Sequence, residues 1–178
     1  MCGPLCDAVV NPAKGESLLN GQDFLEYLDQ ANLFMVPLDN QRKWYRYHHL
    51  FSDVLLHRLL QTELDRIPEL HIRASEWYAG EAYYWEAIHH ALAAEDFERV
   101  ATIVEQNALR LLTYSNLASL MKWLKALPKD LIHSRPWLCV YQGWMELLVG
   151  TIEQANRWVQ NAERLLVTVT QHEKLDDH

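Results

Sequence analysis

The 47 residues from Glu81 to Leu127 contain neither glycine nor proline, and nothing else in the sequence constrains the fold as strongly. Sheets need turns every few residues, and turns draw on those two residue types, so this run predicts helices following one another. Leu (29) and Ala (16), both strong helix formers, make up a quarter of the 178 residues. Six Gly and six Pro are about half the usual share. The expected class is mostly α.

At roughly 150 residues per domain the chain is one large domain or two small ones, and its composition, 49% hydrophobic and 22% charged, is that of a folded globular protein. Residues 1–21 hold five of the twelve helix breakers (Gly3, Pro4, Pro12, Gly15 and Gly21), so residues 1–15 read as an irregular lead-in. From Gln22 to Ala31, Phe24, Leu25 and Leu28 recur at helical spacing. Leu33-Phe34-Met35-Val36, closed by Pro37, and the aromatic Lys43-Trp44-Tyr45-Arg46-Tyr47 flank a five-residue turn and predict a β-hairpin. Beyond it Leu50, Phe51, Val54, Leu55 and Leu59 form one broad stripe on a helix from about His48 to Gln61. Helix, hairpin and helix together predict a winged-helix-like module over residues 16–66.

From residue 67 to 178 helices are expected in antiparallel pairs. The predicted stripes are Ala74, Trp77, Tyr78; Trp85, Ile88, Leu92; Val100, Ala101, Val104, Ala108, Leu111; and Leu117, Leu120, Met121, Leu124. In the last pair Trp137, Val140, Tyr141, Trp144 and Leu148 face Ile152, Ala155, Val159, Ala162 and Leu166. Gly150 suits the left-handed helix end between them, and Thr151 with Gln154 fits a capping box. Gly143, Ala155 and Ala162 occupy the small-residue positions 8, 20 and 27 of a 34-residue tetratricopeptide unit. Tyr78, Ala87 and Ala94 fall at positions 11, 20 and 27 of an earlier one, with Ala87 and Ala155 two repeats apart. The pair between them matches poorly. Residues 67–178 thus predict a tetratricopeptide-like superhelix of degenerate repeats.

The chemistry that the sequence excludes is equally informative. The longest charge-free stretch, Leu111 to Met121, is far short of the roughly 18 residues needed to cross a membrane, and no secretory signal is visible. A cytoplasmic chain without membrane contact is expected. Cys2, Cys6 and Cys139 lack the paired spacing of a zinc site and read as plain thiols. A net charge of −8 opposes direct contact with nucleic acid, whose affinity rests on cations. The glycines form neither G-x-G-x-x-G nor G-x-x-x-x-G-K-[ST], and no serine sits in G-x-S-x-G, so neither a resident cofactor nor catalysis is expected. His49, Asp53 and His57 share a helix face at metal-compatible spacing, but that face borders the apolar stripe, and packed or solvated side chains are the expectation. His89 and His90 point to different faces. Trp77, Tyr78, Tyr83, Tyr84 and Trp85 cluster around one turn, as core packing or as an aromatic anchor for a peptide or sugar.

The hairpin exit Trp44-Tyr45-Arg46-Tyr47-His48-His49-Leu50-Phe51 is the most distinctive stretch. With Leu5-Cys6-Asp7-Ala8-Val9, Ala31-Asn32-Leu33-Phe34, Pro37-Leu38-Asp39, Pro68-Glu69-Leu70-His71, Glu86-Ala87-Ile88-His89-His90-Ala91-Leu92 and Ser134-Arg135-Pro136, it resembles the regulators related to the bacterial maltose activator. These are LuxR-type transcription factors of the signal-transduction ATPase class. The resemblance implies the middle of such a protein, a winged helix and the first repeats of a helical sensor, without the ATP-binding module and the DNA-binding helix-turn-helix. It implies a protein or small-molecule inducer on the helical-repeat surface, the ATPase module as partner, and ATP or ADP as the full-length cofactor. It also implies that His48 contacts the β-phosphate of ADP, a role suited to an imidazole at a helix start. The function implied is relay between inducer, ATPase and DNA-binding parts; the alternative is a free-standing helical-repeat adaptor for other proteins.

Overall fold

A computed structural model describes residues 1–10, 20–114 and 117–176, which form two compact units, Met1–Glu95 and Asp96–His178. The first unit opens with α1 (Gly3–Val10) and α2 (Gly21–Gln30). The irregular lead-in expected over residues 1–15 is thus a helix over Gly3–Val10, while residues 11–15 lie outside the described residues. Gly3 and Gly21 are there because the two helices cross closely. A Cβ on Gly21 would sit 2.5 Å from the Gly3 carbonyl, and one on Gly3 would sit 2.6 Å from the Gln22 main chain. Pro4 falls in the first helical turn, where its missing N–H costs nothing. Asn20 caps α2 by accepting the Asp23 N–H at 2.9 Å.

Strands β1 (Met35–Pro37) and β2 (Tyr45–Tyr47) pair antiparallel, with Met35 opposite Tyr47 and Pro37 opposite Tyr45. The Asp39 carboxylate closes the connection by accepting the Lys43 and Trp44 N–H groups, each at 3.0 Å. Those bonds, Lys43 foremost, hold its carboxyl below the usual carboxylate range. Leu25, Met35 and Tyr45 form the core here, with Cys6, Leu28 and Tyr47 packed around it.

Helix α3 (His49–Thr62) follows at once, but none of its residues is buried. Leu50 and Val54, expected in a core stripe, are 65% and 62% exposed. After a 3-10 turn at Leu64–Arg66, α4 (Ile67–Gly80) and α5 (Tyr84–Ala93) form the first antiparallel pair. This pair lies in the same compact unit as the hairpin. On α5 the buried face is Ala87, Ile88 and Ala91, whereas Trp85 is exposed.

The second unit contains α6 (Phe97–Tyr114), α7 (Leu117–Ala126), α8 (Lys129–Ser134), α9 (Pro136–Val149) and α10 (Ile152–Asp176). Val100, Ala101, Val104, Leu120 and Leu124 are buried as expected; the side chains of Ala108 and Leu111 lie outside the described residues. Arg135, between α8 and α9, binds Glu105 at 2.7 Å and Glu98 at 2.5 Å. Helices α9 and α10 pack as the final pair, Gly150 ending α9 at φ 90°.

Two expectations about that pair change. The buried side of α9 is Leu138, Cys139, Gly143 and Met145, while Trp137, Trp144 and Leu148 are exposed. Apolar residues nearly encircle α9, so periodicity does not choose a face; the contact goes where the absent side chain of Gly143 admits α10. A Cβ there would lie 3.3 Å from both the Ala155 carbonyl and the Trp158 Cβ. Thr151 also works backwards: its hydroxyl binds Glu146, 2.9 Å from the carbonyl and 2.5 Å from the carboxylate, rather than forming a capping box with Gln154.

Candidate functional site

Three residues of hairpin lead straight into α3, and His48 is the hinge between them. Its N–H donates to the Phe34 carbonyl at 2.7 Å, and its own carbonyl accepts from Phe51 and Ser52 at 2.9 and 3.0 Å. The main chain is therefore held from both sides while the imidazole caps nothing. The ring is exposed and lies 4.4 Å from that of His49. Phe34 holds φ 58°, a left-handed value that costs a bulky residue about 1–2 kcal/mol, and its ring stacks on Phe51 at 5.0 Å. Tyr47 meets Phe51 edge-on at 5.7 Å. The result is an exposed imidazole beside an aromatic cluster at a helix N-terminus, where His48 holds the Phe51 and Ser52 N–H groups and those of His49 and Leu50 have no intrahelical acceptor. The helix dipole favours negative charge at such a position.

The other end of the hairpin is tied to the first helix pair. The Trp44 ring meets Trp77 at 6.4 Å and Tyr83 at 5.9 Å, both edge-on, and Tyr78 joins Trp77 at 5.2 Å and Tyr83 at 6.2 Å. Of the aromatic residues expected to cluster around the α4–α5 turn, Trp77, Tyr78 and Tyr83 are linked by ring contacts and Trp44 joins them from the hairpin, whereas Trp85 is exposed. Ala82, at φ 62°, makes that turn tight. Sequence reasoning missed Trp44 as a member because contacts 33 and 39 residues apart leave no periodic signal.

A second missed feature lies between α4 and α5. The Nδ1 atoms of His71 and His90 are 2.8 Å apart, and the His90 ring stacks on Tyr78 at 5.4 Å. One Nδ1 donates and the other accepts, so at least one imidazole is neutral. Burial first, then His71 and His89, lowers the His90 pKa to about 4; burial likewise lowers that of His71. His71 and His90 reach into an apolar cavity of about 310 Å³ whose wall also includes Leu5, Cys6, Leu59 and Leu70.

His49, Asp53 and His57 all remain exposed on α3, and His57 pairs with Gln61 at 2.9 Å. Among the described residues no three His, Cys, Asp or Glu side chains are grouped to hold a metal ion, and no helix is long and apolar enough to cross a membrane.

A short two-stranded wing set between helices, running directly into antiparallel helix pairs, defines a winged-helix domain with a helical extension. Residues 1–67 match the family model of the MalT winged helix domain, and they belong to that family. The chain is 36% identical over 157 residues, 88% of its length, to the HTH-type transcriptional regulator MalT of Yersinia pestis. It is 34% identical over 148 residues, 83% of its length, to the serine/threonine-protein kinase PknK of Mycobacterium tuberculosis. It spans 17% and 13% of those two proteins.

Proposed function

We propose that the chain is the signal-coupling and sensor segment of a longer, ATP-dependent LuxR-type transcriptional regulator. In this reading, a protein or small-molecule inducer binds the surface of the tetratricopeptide-like helix pairs. The winged helix relays that event to an ATPase module and, through it, to a DNA-binding domain, both outside these residues. The relay is cytoplasmic, touches neither nucleic acid nor membrane itself, and performs no catalysis. The observation that carries the reading is His48: an exposed imidazole, fixed through its main chain at the start of α3, suited to the β-phosphate of ADP held by the neighbouring module. Trp44 gives the physical route. Movement of the α4–α5 turn acts on the hairpin through Trp77 and Tyr83, and the hairpin ends at His48. This is coupling between two sites in the thermodynamic sense.

The test uses the full-length protein, with ADP release and basal transcription as readouts. His48→Ala is expected to speed ADP release and raise basal activity, whereas unchanged release counts against the phosphate role. A second reading, a free-standing adaptor that binds other proteins, draws support from the exposed Trp137, Trp144, Leu148, Ile152, Val159 and Leu166 of the last pair. An in-frame G-x-x-x-x-G-K-[ST] upstream and a helix-turn-helix downstream decide for the regulator; their absence decides for the adaptor.

A further inference from the structure

Two structural demands meet at the start of α2 and leave a chemically labile dipeptide there. The crossing of α1 admits only glycine at position 21, where a Cβ would lie 2.5 Å from the Gly3 carbonyl. The helix start needs a capping side chain, and Asn20 supplies it by accepting the Asp23 N–H at 2.9 Å. Aspartate caps equally well but cannot donate, whereas the Asn20 Nδ2 also gives a hydrogen bond to the Asp23 carboxylate at 2.9 Å. Asn20-Gly21 is the one Asn-Gly pair in the sequence. Asparagine is thermolabile, most of all before glycine, whose main-chain nitrogen no side chain shields.

In the reaction the Gly21 nitrogen gives up its proton and bonds to Asn20 Cγ, the Cγ–Nδ2 bond breaks, and Nδ2 leaves with that proton as ammonia. Water then opens the resulting succinimide. Opening at Cγ gives aspartate; opening at the main-chain carbonyl gives isoaspartate, which carries the chain through Cβ and lengthens it by one atom.

The folded chain opposes each requirement. The Gly21 N–H donates to Asp7 Oδ1 at 2.7 Å, and a carboxylate in that place resists loss of the proton. Asp23 holds both ends of the Asn20 amide. Ring closure needs the Gly21 nitrogen nearly eclipsed with Asn20 Cβ, which an extended ψ of 160° does not give. Of these restraints only Asp7 belongs to α1, so the attacking nitrogen is freed when α1 leaves α2. The products, in turn, fit badly. Aspartate puts a charged acceptor where Nδ2 donated to Asp23, and isoaspartate shifts the main chain at Gly21, where the Gly3 carbonyl leaves no room.

We propose that Asn20-Gly21 is a deamidation site that α1 keeps closed through Asp7, so that the chain is modified there when α1 has left α2 and, once modified, no longer docks the two helices as before.

The full 178-residue chain is incubated at mildly alkaline pH, folded and in urea above its unfolding transition, and peptide mass spectrometry reads aspartate and isoaspartate at Asn20. Asn32 and Asn40, which precede Leu33 and Gln41, are internal controls. Asn20 is expected to react slowly in the folded chain and fast in urea. Asp7→Ala is expected to speed the folded reaction about tenfold or more, the change that losing one hydrogen bond to a charged acceptor allows, with Asn32 and Asn40 unaltered. Equal rates at Asn20 in folded and unfolded chain, or an Asp7→Ala rate equal to wild type, overturn the proposal. Should Asp7→Ala fail to fold, wild type in urea below the transition decides: deamidation and Gly21 amide exchange are expected to rise together, and deamidation that does not follow exchange overturns it. Asn20→Asp is expected to lower the urea midpoint relative to Asn20→Ser, which keeps the cap and cannot deamidate; equal midpoints overturn the claim that the product docks less well.

Discussion

The Ser75 hydroxyl donates to the Ala87 carbonyl at 2.8 Å inside the first helix pair, and Gly143 repeats that relationship to Ala155 in the last one, where a Cβ would come within 3.3 Å of the carbonyl. In each pair a small residue on the first helix touches a main-chain oxygen twelve positions later. Ser75 is fully buried, and its hydrogen bond meets the cost of placing a hydroxyl there. Ser75→Leu and Gly143→Leu are each expected to destabilise by about 2–3 kcal/mol through overpacking, and Ser75→Ala by about 1 kcal/mol. Urea unfolding measures all three.

Tyr45 gives a prediction of opposite sign. Its ring is fully buried, and its hydroxyl finds no hydrogen-bond partner among the described residues. Burial also pushes the phenol above its usual range. Tyr45→Phe is expected to keep the packing and to gain about 0.5–1.5 kcal/mol by removing an unsatisfied polar group. A lower unfolding midpoint than wild type contradicts this.

Arg135 holds two carboxylates of very different surroundings. The Glu105 side chain is 18% exposed and that of Glu98 is 71% exposed. Burial works against the Arg135 charge, and the hydrogen bonds to Glu105 and Glu98 outweigh it. Arg135→Met strands Glu105 and is expected to cost about 1–3 kcal/mol, whereas Glu98→Gln is expected to change stability by less than about 0.5 kcal/mol. Adding Glu105→Gln to Arg135→Met should recover part of the loss, measured as a double-mutant cycle.

The His71–His90 pair makes stability depend on pH. Folding lowers both imidazole pKa values, that of His90 from 6.5 to about 4. Between those limits the unfolded chain binds more protons than the folded one, so stability present above pH 6.5 drains away as pH falls towards 4. His90→Gln removes part of that dependence. The difference in unfolding midpoint between wild type and variant should therefore shift in favour of the variant on going from pH 7 to pH 4.5, and parallel pH profiles count against it.

Two helix-ending glycines should respond in opposite ways to alanine. A Cβ on Gly80 meets nothing within 4 Å, while Gly150 holds φ 90°. Gly80→Ala is expected to raise stability by about 0.5–1 kcal/mol and Gly150→Ala to lower it by about 1 kcal/mol, read as shifts of the thermal midpoint.

Much of this architecture was legible because its causes are local. Missing glycine and proline mark the helices, Asp39 and the residues around it mark the hairpin, and Gly150 marks a turn by the one backbone region it alone enters freely. His48 was legible as a position, since a hairpin feeding a helix puts the joining residue at the helix start; its exposure and its bond to Phe34 were not. Where one face of a helix is polar, as on α6, periodicity identified the buried residues.

Tertiary structure decided whatever depends on a partner distant along the chain. Helix α9 is apolar on more than one side, and only its neighbours choose among them: α10 approaches at Gly143, Met145 lies beside Met121 and Leu124 of α7, and Trp137 and Trp144 are left exposed. The crossing of α1 on α2 turns Gly3 and Gly21 from apparent helix breakers into contact points. His71 and His90, nineteen residues apart, meet because two helices pack antiparallel. A sequence specifies hydrophobicity and backbone preference residue by residue, but the burial of a face is a property of two surfaces, and the second surface exists only once the chain has folded.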